Sequence, residues 1–383
     1  MRSRILTFTI LLIFLGACKD DKIVPDDNAS DGEKLFFQDY RPPMYKWGYL
    51  NIKGSLIIQD EYDDARDFSE GLAAVNQKGK WGYINKAGEL IIPFQFRAAG
   101  AFSCGLAKVQ DFEYHEYYIE KNGNIPFQIN GEELSSFSDC RARIFNDPYY
   151  FFINNNGKVI SDTTFVAAAN FKNGYGKVKS EDGWNVIDPS GGLALNKSYD
   201  KCDYPSDGMV KVKEGSIIKY ITLADQSEST EFKQGTNYHN GVAAIVKNGY
   251  VLVDKQGNQL SKAYDALQFL ENDRWLYFRN EKCGLLTNNG EELTPAIYDI
   301  IYRFDDKATA YSKGDMWGVI DTNGNEITGP VFPLMWEFKD GMARAIFNGG
   351  VGFIDQSGFQ VIPPYFIEVR DFSEGMARVQ VIR

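Results

Sequence analysis

Histidine is almost absent from this chain. Only two of its 383 residues are histidines, His115 and His239. General acid–base catalysis, Ser-His-Asp triads and most zinc sites use histidine, so these arrangements lose their usual component. Both histidines also fall at positions of a repeated pattern where other copies carry different residues, so divergence between repeats explains them. We therefore expect a protein that is not an enzyme.

Cysteine is scarce as well, with five residues and no close pair that resembles a metal knuckle. Cys202 and Cys283 occupy positions typical of buried fillers. Cys104 and Cys140 fall near equivalent turns of consecutive repeats, and an oxidising compartment permits a disulfide there, so paired and unpaired forms both stay open. No glycine-rich phosphate loop follows a strand and opens a helix. We expect no metal ion and no cofactor.

Long apolar runs are missing after the first residues. The run from Ile5 to Leu15 is too short to span a bilayer as a mature helix, and Arg2 and Arg4 precede it, as in a signal peptide. Helical periodicity sustained over three turns appears nowhere after this segment. The sequence therefore predicts neither a helical domain nor a transmembrane span.

The apolar run ends in Leu15-Gly16-Ala17-Cys18, which resembles the lipobox of bacterial lipoproteins. The resemblance implies that residues 1–17 are a signal peptide and that Cys18 carries acyl chains. Each buried methylene contributes about 0.8 kcal/mol, so a multiply acylated cysteine anchors permanently where one chain binds only marginally. The implied location is the bacterial outer membrane, with the membrane as partner through the lipid anchor. An ordinary secretory signal is the alternative.

Residues 18–33 predict a flexible tether, because they hold six acidic residues and no aromatic one. Lys19-Asp20-Asp21 resembles the export tag of surface lipoproteins, and both the surface-exposed and the periplasmic orientation stay open. The formal net charge of the whole chain is −11. This acidic balance argues against nucleic acid as a partner.

A short phrase returns at intervals of about 34 residues. Its clearest copies are Lys-Trp-Gly-Tyr-Leu from Lys46, Lys-Trp-Gly-Tyr-Ile from Lys80 and Met-Trp-Gly-Val-Ile from Met316. Self-similarity at a fixed period is the signature of a repeat array, so residues 34–383 are predicted to form about ten units. A turn glycine follows each phrase in nine places, at Gly54, Gly88, Gly123, Gly157, Gly191, Gly257, Gly290, Gly324 and Gly358.

Each unit is predicted to be a three-stranded antiparallel meander. In the best copy, Leu72–Val75 is an apolar run, Lys80–Asn85 alternates large apolar with small or polar residues, and Leu90–Pro93 ends in a proline that cannot continue a ladder. Such a small sheet is marginal alone and needs cover from its neighbours. The fold prediction is all-β, as an open curved array. A closed β-propeller is the alternative, because the last strand could complete the first unit.

The Trp-Gly pairs are predicted to be structural. Tryptophan supplies a large apolar ring, and the adjacent glycine permits close approach of a neighbouring backbone or ring. We assign them to the core rather than to a ligand platform. The residues of this motif are Trp47, Gly48, Trp81, Gly82, Trp184, Trp317 and Gly318.

Lys-Trp-Gly-Tyr-Ile, the glycine turn, Ile-Ile-Pro and Phe-Ser-Glu-Gly-Leu-Ala together resemble the WG (KWG) repeat of bacteria, over roughly residues 46–379. The resemblance implies β-rich repeats and commonly an interaction role, without a shared reaction. We expect a lipid-anchored binding or scaffold module of the cell envelope, with an unknown protein or glycan partner.

Two other functions stay open, an envelope hydrolase that uses carboxylates and a purely structural surface lipoprotein. The hydrolase would need one repeat whose acidic residues break the pattern and line a pocket. Aromatic faces that lie exposed in a groove would favour a glycan over a protein. The candidates for such faces are Tyr114, Tyr117, Tyr149 and Tyr150.

Overall fold

The computed structural model describes residues 43–161 and 163–381, and every helix or strand assigned in these ranges is a β-strand. The predicted signal peptide, the lipidation site Cys18 and the tether lie outside the described residues. No helix within the described ranges could cross a membrane.

The strands fall into small antiparallel groups along the chain. In chain order they are β1 (Trp47–Asn51), β2 (Leu56–Tyr62); β3 (Asp64–Ala65), β4 (Leu72–Gln77), β5 (Lys80–Asn85), β6 (Leu90–Phe96); β7 (Ala98–Ala99), β8 (Leu106–Gln110), β9 (Glu116–Glu120); β10 (Glu133–Leu134), β11 (Arg141–Asn146), β12 (Tyr149–Asn154); β13 (Ala167–Lys172), β14 (Tyr175–Ser180), β15 (Gly183–Ile187); β16 (Lys201–Cys202), β17 (Met209–Glu214), β18 (Ile217–Thr222); β19 (Val242–Val246), β20 (Tyr250–Asp254); β21 (Ala266–Phe269), β22 (Arg274–Arg279), β23 (Lys282–Thr287); β24 (Ile300–Ile301), β25 (Ala308–Lys313), β26 (Met316–Asp321), β27 (Glu326–Phe332); β28 (Met342–Phe347), β29 (Gly350–Asp355), β30 (Gln360–Ile362); β31 (Phe366–Ser373), β32 (Met376–Val381).

These strands form ten sheets of two to four strands, so the prediction of an all-β array of about ten antiparallel units is confirmed. We number the sheets along the chain, with β3–β6 as the second sheet and β28–β30 as the tenth. The sequence indicated the strands equivalent to β4, β5 and β6. A short strand such as β3 precedes them, and its two residues are too few to show a pattern.

The two ends of the described chain meet in the first sheet, whose strand order is β2-β1-β32-β31. Gly48–Asn51 pair with Met376–Val379 in antiparallel register. This pairing is the contact for which the sequence offered a closed propeller as the alternative to the open array. The last two strands of the chain, β31 and β32, therefore complete the first repeat, in which β1 and β2 follow them.

A ring of turns joins the repeats. In each repeat the turn before the second strand touches the same turn of the next repeat, and the side chain at its third position often accepts a hydrogen bond from that neighbour. The Gly105 N–H donates to Glu70 Oε2 at 2.9 Å, and the Gly375 N–H donates to Asp340 Oδ2 at 2.8 Å. All ten third positions have a left-handed backbone. We call these turns the turn ring, at Glu70, Cys104, Asp139, Asn173, Asp207, Asn240, Asn272, Asp306, Asp340 and Glu374.

The turn ring continues across the chain ends. The Glu374 carboxylate accepts hydrogen bonds from the N–H groups of Glu70 at 2.6 Å and Gly71 at 3.0 Å. Ser373 Oγ also donates to the carbonyl oxygen of Phe68 at 2.9 Å, as Ser69 does to Phe102 one repeat later. The first and second repeats are therefore joined by the same contacts as repeats that follow each other along the chain.

One junction of the turn ring is covalent. Cys104 and Cys140 form a disulfide between the third and fourth repeats. Cys104 stands where the second repeat has Glu70, and Cys140 stands where the third has Gly105. The disulfide therefore replaces the bond between a carboxylate and a glycine N–H that joins other neighbouring turns.

The indole rings fill the seams between sheets. Trp47, Trp81 and Trp317 are each buried, and each packs in a hydrophobic cluster that combines residues of two neighbouring sheets. Trp184 is half-buried, with the Lys177 ammonium 5.2 Å from its ring centre. Neighbouring repeats therefore cover each other through these seams.

The glycines of the Trp-Gly pairs face the backbone of the following strand. A Cβ atom on Gly82 would lie 2.7 Å from the carbonyl oxygen of Ile92, and one on Gly318 would lie 2.7 Å from that of Gly329. Real Cβ atoms do not approach backbone oxygen so closely, so a side chain at either position would force the two strands apart.

We predict that Gly318→Ala destabilises the protein by roughly 1–3 kcal/mol, because the added methyl overpacks this contact. Gly329→Ala is the matched control on the facing strand, since a Cβ there meets no atom within 4 Å. The measurement is the free energy of unfolding in urea. Equal stability of the two variants would contradict the close-approach explanation.

We predict that the double variant Cys104→Ala/Cys140→Ala loses about 3–4 kcal/mol of unfolding free energy. The disulfide closes a loop of 36 residues, and the constraint on the unfolded chain scales with loop length. A reductant should lower the melting temperature of the wild type and leave that of the double variant unchanged. A wild type indifferent to the reductant would refute the prediction.

Candidate functional site

A cavity of about 790 Å³ opens beside the turn ring. Five consecutive repeats, from the fifth to the ninth, contribute to its lining. The cavity therefore lies along the half of the turn ring that these five repeats form. We call it the central cavity, lined by Lys172, Asn173, Tyr175, Tyr204, Pro205, Ser206, Asp207, Gly208, Leu223, Thr236, Asn237, His239, Asn240, Leu267, Gln268, Phe269, Glu271, Asn272 and Arg303.

One wall of the central cavity contains a pair of stacked aromatic rings. The rings of His239 and Phe269 stack in parallel, with 3.9 Å between their centroids. The fully buried Trp275 packs edge-on against both rings and fixes their position. Tyr175 and Tyr204 add two half-buried rings from the neighbouring repeats. The wall therefore brings aromatic rings from four neighbouring repeats to the cavity.

His239 is held in its neutral form. Burial lowers the pKa of its imidazole below the usual value, although the charges of Asp207 and Glu271 act in the opposite direction. A neutral imidazole carries one hydrogen-bond donor and one acceptor. His239 can therefore stack and hydrogen-bond at neutral pH without bringing a positive charge.

The central cavity also holds a polar atom without a partner. The side-chain oxygen of Asn237 is buried and accepts no hydrogen bond within the described part of the chain. Such a group costs roughly 1–3 kcal/mol when it stays unsatisfied. The unpaired oxygen of Asn237 therefore indicates that a water molecule or a ligand donates a hydrogen bond to it.

The charges of the lining are mixed. Lys172 and Arg303 are exposed cations, and Asp207 and Glu271 are the acidic residues. One carboxylate oxygen of Asp207 accepts the Gly241 N–H at 2.6 Å, as its position in the turn ring requires. Glu271 occupies the second position of its turn, where five of the ten turns carry serine and the ninth repeat carries Asp305.

Six segments of the chain match the family model described as WG containing repeat, namely residues 47–81, 81–111, 150–184, 284–317, 317–350 and 352–381. Together they cover more than half of the sequence. The chain belongs to the WG-repeat family. No curated protein matches this WG-repeat protein.

Several solved structures are similar to it at low identity. The crystal structure of the eukaryotic initiation factor is 12% identical, covers 88% of this chain and 98% of its own, and gives a TM-score of 0.43. The BamB protein of Moraxella catarrhalis is 10% identical over 84% and 97%, with a TM-score of 0.35. The computationally designed Ika8 protein is 12% identical over 83% and 95%, with a TM-score of 0.34.

The motif residues of this WG-repeat protein lie apart from the central cavity, in the seams between sheets. The four tyrosines considered for glycan binding are also absent from its lining. Tyr114 and Tyr149 are exposed in or beside the turns between the second and third strands, and Arg97 covers the ring of Tyr114 at 4.2 Å. Tyr117 and Tyr150 are half-buried.

In the sequence, divergence between repeats explains His239, and no pattern distinguishes Phe269. Their signal was weak because each is one substitution at a variable position. Only the register of the eighth sheet and the turn of the seventh bring them together.

The buried thiols behave as fillers, since burial raises the pKa of Cys202 to about 12 and that of Cys283 to about 11.

No group of three or more His, Cys, Asp or Glu side chains in the described ranges is placed to hold a metal ion.

We predict that the ring protons of His239 titrate with a midpoint below 6.5, the ordinary value for histidine. The unfolded chain then binds more protons than the folded one near pH 6, so this group makes unfolding easier as the pH falls through 6.5. Proton NMR measures the midpoint, and His239→Gln assigns the resonance. A midpoint above 6.5 would contradict the buried, neutral imidazole.

Proposed function

We propose that this WG-repeat protein is a non-enzymatic binding module of the bacterial cell envelope. Acylated Cys18 holds it at the outer membrane, and the central cavity binds its partner. The partner that the lining favours is an oligosaccharide.

The observation that carries this proposal is the combination of groups in the central cavity. A sugar presents apolar C–H faces and hydroxyl groups that each donate and accept hydrogen bonds. The stacked rings of His239 and Phe269 can pack against the C–H faces of a sugar. The unpaired oxygen of Asn237 and the exposed amide of Gln268 can form hydrogen bonds with its hydroxyl groups. Five repeats contribute to the cavity, and its volume of about 790 Å³ lies in the range of small-molecule ligand pockets.

A second candidate is a protein partner at the sheet edges. The strands β2, β6 and β27 are the last in their sheets, and each exposes an aliphatic side chain, at Ile57, Ile91 and Ile327. Edge strands with apolar side chains are surfaces on which another chain can pair or pack. This candidate uses the strand edges and not the central cavity.

The absence of catalysis is supported by how the titratable groups are used. His239 is neutral and packed by its ring face, and Asp207 is engaged by the Gly241 N–H. A carboxylate-based hydrolase needs two accessible carboxyl groups at a defined separation. Glu271 is the one other carboxylate that the described residues contribute to the lining of the central cavity.

Site-specific photo-crosslinking in intact cells tests the proposal. A benzophenone amino acid replaces Gln268 in the central cavity or, as the matched control, Gln95 on the exposed edge of β6. We expect a carbohydrate-stained adduct from the Gln268 position and none from Gln95. A protein adduct from Gln95 alone would favour the second candidate. Absence of any adduct would favour the purely structural role.

The Cys18→Ala variant tests whether acylation of Cys18 holds the protein at the membrane. We expect it to leave the membrane fraction and to lose the adduct, because a partner fixed in the envelope is no longer within reach. Membrane attachment that survives Cys18→Ala would refute the lipid anchor and leave the cavity proposal to the crosslinking result.

A further inference from the structure

Asparagine is followed by glycine at many turns of this chain. An asparagine in such a pair can modify itself, because the glycine nitrogen can attack the amide carbon of the asparagine side chain and no Cβ on the glycine obstructs the approach. The structure distinguishes the pairs by what holds the glycine nitrogen. There are nine pairs, and their asparagines are Asn122, Asn130, Asn156, Asn173, Asn240, Asn248, Asn289, Asn323 and Asn348.

Four of the glycine nitrogens are held by hydrogen bonds within tight turns. The Gly324 N–H donates to the carbonyl oxygen of Asp321 at 3.1 Å. The attacking nitrogen must lose its proton before it can form a bond, so a hydrogen bond that keeps this proton slows the attack. The same bond, to the carbonyl oxygen three residues earlier, holds Gly123, Gly157 and Gly290.

Two more glycine nitrogens are held by carboxylates of the turn ring. The Gly174 N–H donates to Asp139 Oδ2 at 2.7 Å, and the Gly241 N–H donates to Asp207 Oδ2 at 2.6 Å. Loss of the proton here would place two negative charges side by side, which is unfavourable. Asn173 and Asn240 are therefore protected by the contacts that join the repeats.

The glycine nitrogens of the remaining three pairs, at Gly131, Gly249 and Gly349, donate no hydrogen bond within the described residues. Ring closure also needs the backbone to rotate, and packing restrains two of these glycines. A Cβ atom on Gly131 would lie 2.4 Å from Ile144 Cγ2, and one on Gly249 would lie 3.1 Å from Ala263 Cβ. A Cβ atom on Gly349 would meet no atom within 4 Å.

Asn348 and Gly349 are the two residues that connect β28 to β29, since Phe347 lies opposite Gly350. Both are exposed, and the Asn348 side chain forms no hydrogen bond within the described ranges. Gly350 follows with φ of 146°, so two consecutive glycines permit the rotation that ring closure needs. This turn therefore combines an accessible amide with a free nitrogen and an unobstructed backbone.

We propose that Asn348 is a site of spontaneous deamidation. The Gly349 nitrogen loses its proton to water and bonds to Asn348 Cγ, and the Cγ–Nδ2 bond breaks to release ammonia and leave a cyclic imide. Water then opens the imide at either carbonyl group and gives aspartate or isoaspartate, so one water is consumed for each ammonia released. The product adds a negative charge to the turn, and the isoaspartate form adds a backbone atom to it. This modification is independent of the function proposed for the central cavity.

Peptide mapping by mass spectrometry, on purified protein sampled during storage at neutral pH, tests the proposal. We expect the peptide with Asn348 to gain the mass difference between an amide and a carboxylic acid at least tenfold faster than the peptide with Asn323, the matched pair in the preceding repeat. In urea the two rates should converge, because the unfolded chain loses the hydrogen bond of Gly324. A rate at Asn348 no faster than at Asn323 in the folded protein, or a difference that persists unchanged in urea, would overturn the proposal.

Isoelectric focusing gives an independent readout of the same change. Asn348→Gln should remove the acidic form that accumulates first during storage, because the longer side chain closes the imide ring far more slowly. Asn323→Gln is the matched control and should leave that acidic form unchanged. Equal accumulation of the acidic form in the wild type and in Asn348→Gln would contradict the assignment of the site.

Discussion

The fold depends on the contact between the turns of neighbouring repeats. Each sheet is too small to bury its own apolar face, so its stability comes from the seam that it shares with the next sheet. The turn ring sets the spacing of these seams, because a side chain in a left-handed turn reaches the N–H group of the next turn. Glu70, Asp340 and Glu374 make this contact with carboxylates, and Cys104 makes it with a covalent bond.

The sequence predicted what the repeats share. The Trp-Gly pairs, the turn glycines and the apolar runs indicated the strands, because each is determined by local geometry and recurs many times. The short first strands such as β3 carry two residues each and leave no periodicity to detect. The pairing of β1 with β32 joins residues more than 300 positions apart, and the sequence could present it only as an alternative.

The candidate sites lie where the repeats differ. His239 and Glu271 occupy a turn position that carries serine in five of the ten turns, and Phe269 ends strand β21. A pattern averaged over the repeats does not show such positions. The structure shows which of the residues that differ between repeats contact each other, as His239 and Phe269 do.

The pairing of the chain ends has a mechanical consequence. A pull on the chain ahead of residue 43 enters the body through β1, which is hydrogen-bonded on both edges, to β2 and to β32. Such a load shears two ladders at once instead of peeling an edge strand one bond at a time. The sheet in which the two chain ends pair is therefore also the part of the body best able to resist traction on the chain ahead of residue 43.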